Sequence, residues 1–289
     1  MRTLGPTGVW PTLFTLGNLV AGFAAIHFAT KPMVLAATDG VTGAYGPWGW
    51  SSLTVACALI LLGVVFDSVD GSVARLTDSV TEMGGQLDSL ADLVTFGLAP
   101  AFITLNLLTQ YIGPDGTAIV NPATASTLGR LSWAIAAIYV CCAALRLARF
   151  NVETASGRLG DKLSFRGLPT PGAAGAVIGL VVLHEHIVAM SENSTEGVLY
   201  NLAGVLAVLL PAVVLLAAIM MVSTVPYRHL ANRYLRVSRS FGYLVRVAIL
   251  LCFALWWLQE TIAAVFLLYL CSGPFDLIAK RSFKTAEVE

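Results

Sequence analysis

The chain has 289 residues, of which 57% are hydrophobic and 12% charged, with a formal net charge of +0 and a mean hydropathy of +0.78. Soluble domains carry roughly 25% charged residues, so an apolar excess of this size needs lipid rather than a globular core to hide in. Zero net charge and the lack of basic-aromatic patches argue against a nucleic-acid partner, which would require a cationic field.

Apolar stretches able to cross roughly 30 Å of hydrocarbon recur about eight times. The first covers Pro11 to Thr30, with proline at its start, where the missing N–H is tolerated. No basic n-region or A-x-A site precedes it, so it reads as a retained span and not a signal peptide. The second runs from Trp50 through Phe66 into an aspartate-rich segment. The third begins near Gly84 and continues to Leu108, and the fourth covers Leu131 to Phe150. A fifth opens after Pro169 and Pro171, and a sixth covers Val198 to Val222. Leu244 to Leu258 and Thr261 to Leu270 make two more, joined by a tight polar turn at Gln259 and Glu260. The Ser272-Gly273-Pro274 run is expected to break the last helix.

The five cysteines form no CxxC pair and read as small buried hydrophobes. With eight spans and both termini cytoplasmic, the outer loops hold only Lys31 and Arg130 of the 17 basic residues. That asymmetry meets the positive-inside rule, whereas an odd number of spans would scatter the charge. The expected fold is an all-α polytopic bundle of about eight transmembrane helices, one domain over residues 1–289. Its aspartates lie at the cytoplasmic side.

The segment from Asp67 to Pro100 reads DSVDGSVARLTDSVTEMGGQLDSLADLVTFGLAP. Ionisable groups at membrane depth are costly and mark function by default. Asp67 and Asp70 are three apart, and Asp88 and Asp92 four apart, so each pair shares a helical face. A short cytoplasmic turn between the two helices brings the pairs together. Carboxylates so close repel one another, and a divalent cation such as Mg²⁺ or Mn²⁺ relieves that repulsion. Gly71 and Gly84 leave room for a bulky ligand beside the carboxylates. Arg75, one turn on, offers a planar guanidinium for a phosphate.

The pattern Asp67-x2-Asp70-Gly71-x2-Ala74-Arg75-x8-Gly84-x3-Asp88-x3-Asp92 matches the signature of the CDP-alcohol phosphatidyltransferase family at every position. The resemblance implies cleavage of a CDP-linked lipid at its pyrophosphate, transfer of the lipid phosphate to an alcohol, and release of CMP. It implies two divalent cations, Mg²⁺ or Mn²⁺. Asp67, Asp70 and Asp88 resemble ligands of the first, and Asp67, Asp88 and Asp92 ligands of the second. Asp92 also resembles the general base. Gly71, Arg75, Thr81 and Gly84 match positions that contact the CDP moiety.

The blocks DSLADLVTFGLAPA, ALRLARFNV and FRGLPTPGAAGA, with PTLFTLGNLVAGF near the N-terminus, resemble the CDP-diacylglycerol–serine O-phosphatidyltransferase branch. That likeness implies CDP-diacylglycerol and L-serine as substrates, a homodimer in the bilayer of the cytoplasmic (inner) membrane, and an active site facing the cytoplasm. A sibling using glycerol phosphate, inositol phosphate or choline is the alternative, and a transporter with a carboxylate cation site is a remote one.

Serine carries a carboxylate, so its pocket needs a cation. Arg146 and Arg149, three apart on the fourth span, and Arg166 in the next loop are the candidates for the serine carboxylate or the lipid phosphate. Anchoring to anionic headgroups is the competing reading. Asn18, within the first span, suits either a nucleotide contact or a helix–helix contact. His184-Glu185-His186 reads as interfacial and not as a metal cluster.

Overall fold

A computed structural model of the chain describes residues 9–30, 50–76, 81–112, 127–155, 164–192, 197–228 and 256–286. The helices are α1 (Val9–Ala29), α2 (Ser52–Leu76), α3 (Glu82–Asp92), α4 (Ala99–Ile112), α5 (Thr127–Ala155), α6 (Thr170–Glu192), α7 (Gly197–Val222) and α8 (Leu258–Ala286). A π-helical segment, Leu93–Leu98, joins α3 to α4 in one continuous span. Seven helical segments among the described residues are long and apolar enough to cross a membrane. The span expected over Leu244 to Leu258 falls almost wholly outside the described residues, as do the outer loops.

The bundle is built around α6, which packs on α7 and α8, while α1 lies along α2 and α5 along α7. Small residues set these approaches. Ala173, Ala174 and Ala176 are fully buried, and a Cβ at Gly175 would collide with the Phe266 ring of α8. The outward faces stay apolar: Leu13, Leu16, Val20 and Phe23 are exposed on α1, and Ile138 and Leu145 on α5. Cys57 is buried as expected. Cys141 is exposed, because it shares the Ile138–Leu145 face that turns to lipid.

His184 and Glu185 are buried and bonded to each other at 3.1 Å, so they belong to the bundle core rather than to an interface. His186 reaches Glu260 of α8 at 3.1 Å. Gln259 and Glu260 are not a loop. They form the first turn of α8, where an acidic side chain is favoured by the exposed N–H groups.

Pro100, Pro211 and Pro274 sit inside spans, and Pro100 and Pro274 are accommodated in the same way. Proline at position i removes the donor for the carbonyl at i−4. Pro100 would orphan the Phe96 carbonyl, and the buried Tyr139 hydroxyl donates to it at 2.9 Å. The π-helical turn falls just ahead of Pro100, with the Ala99 N–H reaching back to the Val94 carbonyl. Pro274 does not end α8, contrary to the sequence expectation. The carbonyl it would strand, that of Leu270, accepts from the Tyr227 hydroxyl at 3.0 Å. Burial, with Tyr269 alongside, pushes the Tyr227 hydroxyl up to about 12, so it stays a donor near neutral pH.

Tyr227 lies on β2 (Pro226–Arg228), which pairs antiparallel with β1 (Ser164–Arg166), Phe165 opposite Tyr227. This short ladder is the one departure from an all-helical architecture among the described residues. Gly167, with φ of 86°, turns the chain out of β1 against the end of α7. Its N–H donates to the Val225 carbonyl at 2.8 Å. A side chain here would strike the Met221 and Ser223 carbonyls.

Candidate active site

α2 ends with Asp67, Asp70 and Gly71, and α3 opposite it carries Asp88 and Asp92. Thr81 starts α3 as its N-cap, its hydroxyl accepting from the Gly84 N–H at 3.0 Å. Carboxylate oxygens of Asp67, Asp70 and Asp88 lie within 4.8 Å of one another. Asp92 is outside this trio, yet close enough to feel the charges of Asp67, Asp88 and Asp70. Asp70 and Asp92 are buried, at 5% and 7% exposure.

The first helix supplies side-chain partners for two of these carboxylates. Thr15 donates to Asp70 Oδ2 at 2.9 Å, and Asn18 Nδ2 to Asp92 Oδ1 at 3.0 Å. Asp88 Oδ1 is buried with no hydrogen-bond partner. An orphaned acceptor beside two further carboxylates lacks a positive charge, and the all-oxygen donor set suits a hard divalent cation. The residues therefore fit such an ion.

Arg146 of α5 lies close enough to this cluster to interact electrostatically with Asp92 and Asp67. One terminal nitrogen of its guanidinium donates to Thr170 Oγ1 at 2.9 Å, while its Nε is buried without a partner. Arg149 is directed elsewhere, to Glu153 at 2.9 Å in a half-exposed pair. The two arginines share a helical face in sequence, but packing separates their environments. The backbone of Arg166 lies on β1, opposite Pro226. The side chains of Arg75 and Arg166 lie outside the described residues. Gly71 sits within α2 and Gly84 in the first turn of α3, where a Cβ would meet only the Thr81 hydroxyl, at 3.0 Å. Ser89 of α3 donates to Asn151 Oδ1 at 3.1 Å, tying α3 to the end of α5.

Sequence reasoning missed Thr15 and Thr170. A single threonine in an apolar run has no spacing to betray it. Asn18 stood out only as an amide within the first span.

The sequence profile of the CDP-alcohol phosphatidyltransferase family matches residues 9–210. A Helicobacter pylori protein named CDP-diacylglycerol–serine O-phosphatidyltransferase is 31% identical over 207 residues, 72% of this chain and 71% of its own length. A Methanocaldococcus jannaschii protein of the same name is 37% identical over 126 residues, 44% of this chain and 50% of its own. A Saccharomyces cerevisiae protein, again so named, is 40% identical over 125 residues, 42% of this chain and 39% of its own.

Proposed function

The chain belongs to the CDP-alcohol phosphatidyltransferase family, and from that footing we propose that it transfers the phosphatidyl group of CDP-diacylglycerol to L-serine, giving phosphatidylserine and CMP. The observation that carries this reading is the carboxylate trio of Asp67, Asp70 and Asp88 with its orphaned Asp88 oxygen. The names of the bacterial, archaeal and yeast relatives support the acceptor.

In the reaction the serine hydroxyl oxygen bonds to the lipid-side phosphorus, and the bond from that phosphorus to the CMP oxygen breaks. CMP leaves with the bonding electrons, and the hydroxyl proton passes to Asp92. Two divalent cations, Mg²⁺ or Mn²⁺, held by Asp67, Asp70 and Asp88 and by Asp67, Asp88 and Asp92, would neutralise the pyrophosphate and polarise its phosphorus. Gly71 and Gly84 keep the approach open for the CDP moiety, which Arg75 and Thr81 also contact. Arg146 has an unused donor, Nε, for the serine carboxylate or the lipid phosphate. Arg149 and Arg166 are the other candidates for that contact. The enzyme works as a homodimer in the inner membrane, its sites facing the cytoplasm.

The deciding experiment measures CMP release from CDP-diacylglycerol against L-serine, glycerol 3-phosphate, inositol phosphate and choline, with and without divalent metal. Release with serine and metal only is expected. Release with another alcohol and none with serine would move the enzyme to a sibling activity. No metal-dependent release with any acceptor would favour a transporter.

A further inference from the structure

Asn18 is fully buried, and half of its amide is used. Its NH₂ donates to Asp92 Oδ1 at 3.0 Å, while its own Oδ1 is buried without a partner. An orphaned buried acceptor is costly, and an apolar side chain here would avoid that cost. The carboxylate accepts only, so it dictates which end of the amide faces it. The backbone of Asn18 is held separately, because the Thr95 hydroxyl donates to the Asn18 main-chain carbonyl at 2.9 Å.

Thr95 sits in the π-helical segment that follows Asp92 directly. It fits where α1 and α2 both present glycine. A Cβ at Gly22 would lie 2.7 Å from the Thr95 Cα, and one at Gly63 would lie 2.6 Å from its methyl and 2.8 Å from Asn18 Oδ1. Three helical segments therefore meet at one threonine, which bonds the Asn18 backbone while the Asn18 side-chain NH₂ bonds Asp92.

We propose that Asn18, locked by Thr95 in the Gly22–Gly63 notch, is a positioning residue that fixes the rotamer of Asp92 so that its second oxygen faces the alcohol. This rests on the reading of Asp92 as the base for the acceptor hydroxyl. Because it acts through Asp92, the lock bears on the chemical step and not on lipid affinity.

The test is steady-state CMP release by the purified full-length protein in CDP-diacylglycerol mixed micelles with L-serine and Mg²⁺, read beside thermal unfolding. Asn18→Leu is expected to lower kcat by on the order of 10²-fold, as misplacement of a reacting group does, and to leave KM for CDP-diacylglycerol within about threefold. Unchanged kcat, or a loss carried by KM, would overturn the proposal. If Asn18→Leu does not fold, Thr95→Val takes its place. It should lose kcat while Thr95→Ser, which keeps the hydroxyl, recovers it; equal loss in both Thr95 variants would also overturn the proposal. A third arm needs no turnover. Asn18→Leu should lower Tm less in an Asp92→Leu background than in the wild type, and equal shifts would overturn the contact itself. Wild-type protein that releases no CMP while that coupling in Tm is present would sink the functional reading and leave the Asn18–Asp92 contact standing.

Discussion

The four aspartates differ in what surrounds each of them. Asp70 and Asp92 each accept one hydrogen bond from α1, whereas Asp88 has a buried oxygen with none. Asp88→Ala should therefore lose metal-dependent activity outright, and titration with Mn²⁺ followed by electron paramagnetic resonance should show weakened binding. Asp92→Asn keeps the size and loses the proton acceptor, so CMP release should fall by on the order of 10²–10⁴-fold. The arginines divide in the same way. Arg146→Ala removes the guanidinium beside Thr170 and should raise the KM for serine. Arg149→Ala breaks a half-exposed pair worth at most about 1 kcal/mol and should leave that KM close to wild type. Equal effects of the two substitutions would contradict this division.

At the scale of elements, two spans tolerate a proline, Pro100 and Pro274, because a tyrosine from a neighbour replaces the lost donor. Tyr139 serves the Phe96 carbonyl in the span that carries Asp88 and Asp92, and Tyr227 serves the Leu270 carbonyl in α8. Tyr139→Phe and Tyr227→Phe should each cost about 0.5–1.5 kcal/mol, the range of hydrogen bonds inside membrane proteins, visible as a lower Tm in detergent. Pro274→Ala restores the backbone donor, so the loss from Tyr227→Phe should shrink in that background. A loss of unchanged size would mean that Tyr227 acts through packing against Gly273 instead. This compensation explains why the Ser272-Gly273-Pro274 run misleads when read alone. The helix-breaking residue is local, but its remedy comes from β2, 47 positions earlier by the numbering Tyr227 to Pro274.

For the whole molecule, the carboxylates lie at one end of the bundle and the His184–Glu185 pair lies towards the other end of α6. The proposed orientation puts the aspartate end in the cytoplasm, the side on which Lys and Arg are favoured. A membrane-impermeant chelator should therefore abolish CMP release in inverted membrane vesicles and spare it in sealed right-side-out ones, with CDP-diacylglycerol and serine supplied inside the latter. Restoring activity with Mg²⁺ or Mn²⁺ in the inverted vesicles would identify the effective ion. Loss of activity in right-side-out vesicles alone would reverse the orientation.

The sequence by itself determined the membrane setting, because 57% hydrophobic residues with 12% charged leave few soluble solutions. It also determined the aspartate pairs, since i,i+3 and i,i+4 spacing converts directly into a shared helical face. Tertiary structure alone decided which neighbours complete them. Thr15 and Asn18 precede their aspartates by 55 and 74 positions, and no local periodicity encodes a contact across that separation. The same holds for the fate of Arg146 and Arg149, whose spacing is helical but whose partners come from different elements. What packing added to the aspartates was a direction. α1 holds two of them by hydrogen bonds and leaves a third, Asp88, with an acceptor that only a positive charge would satisfy.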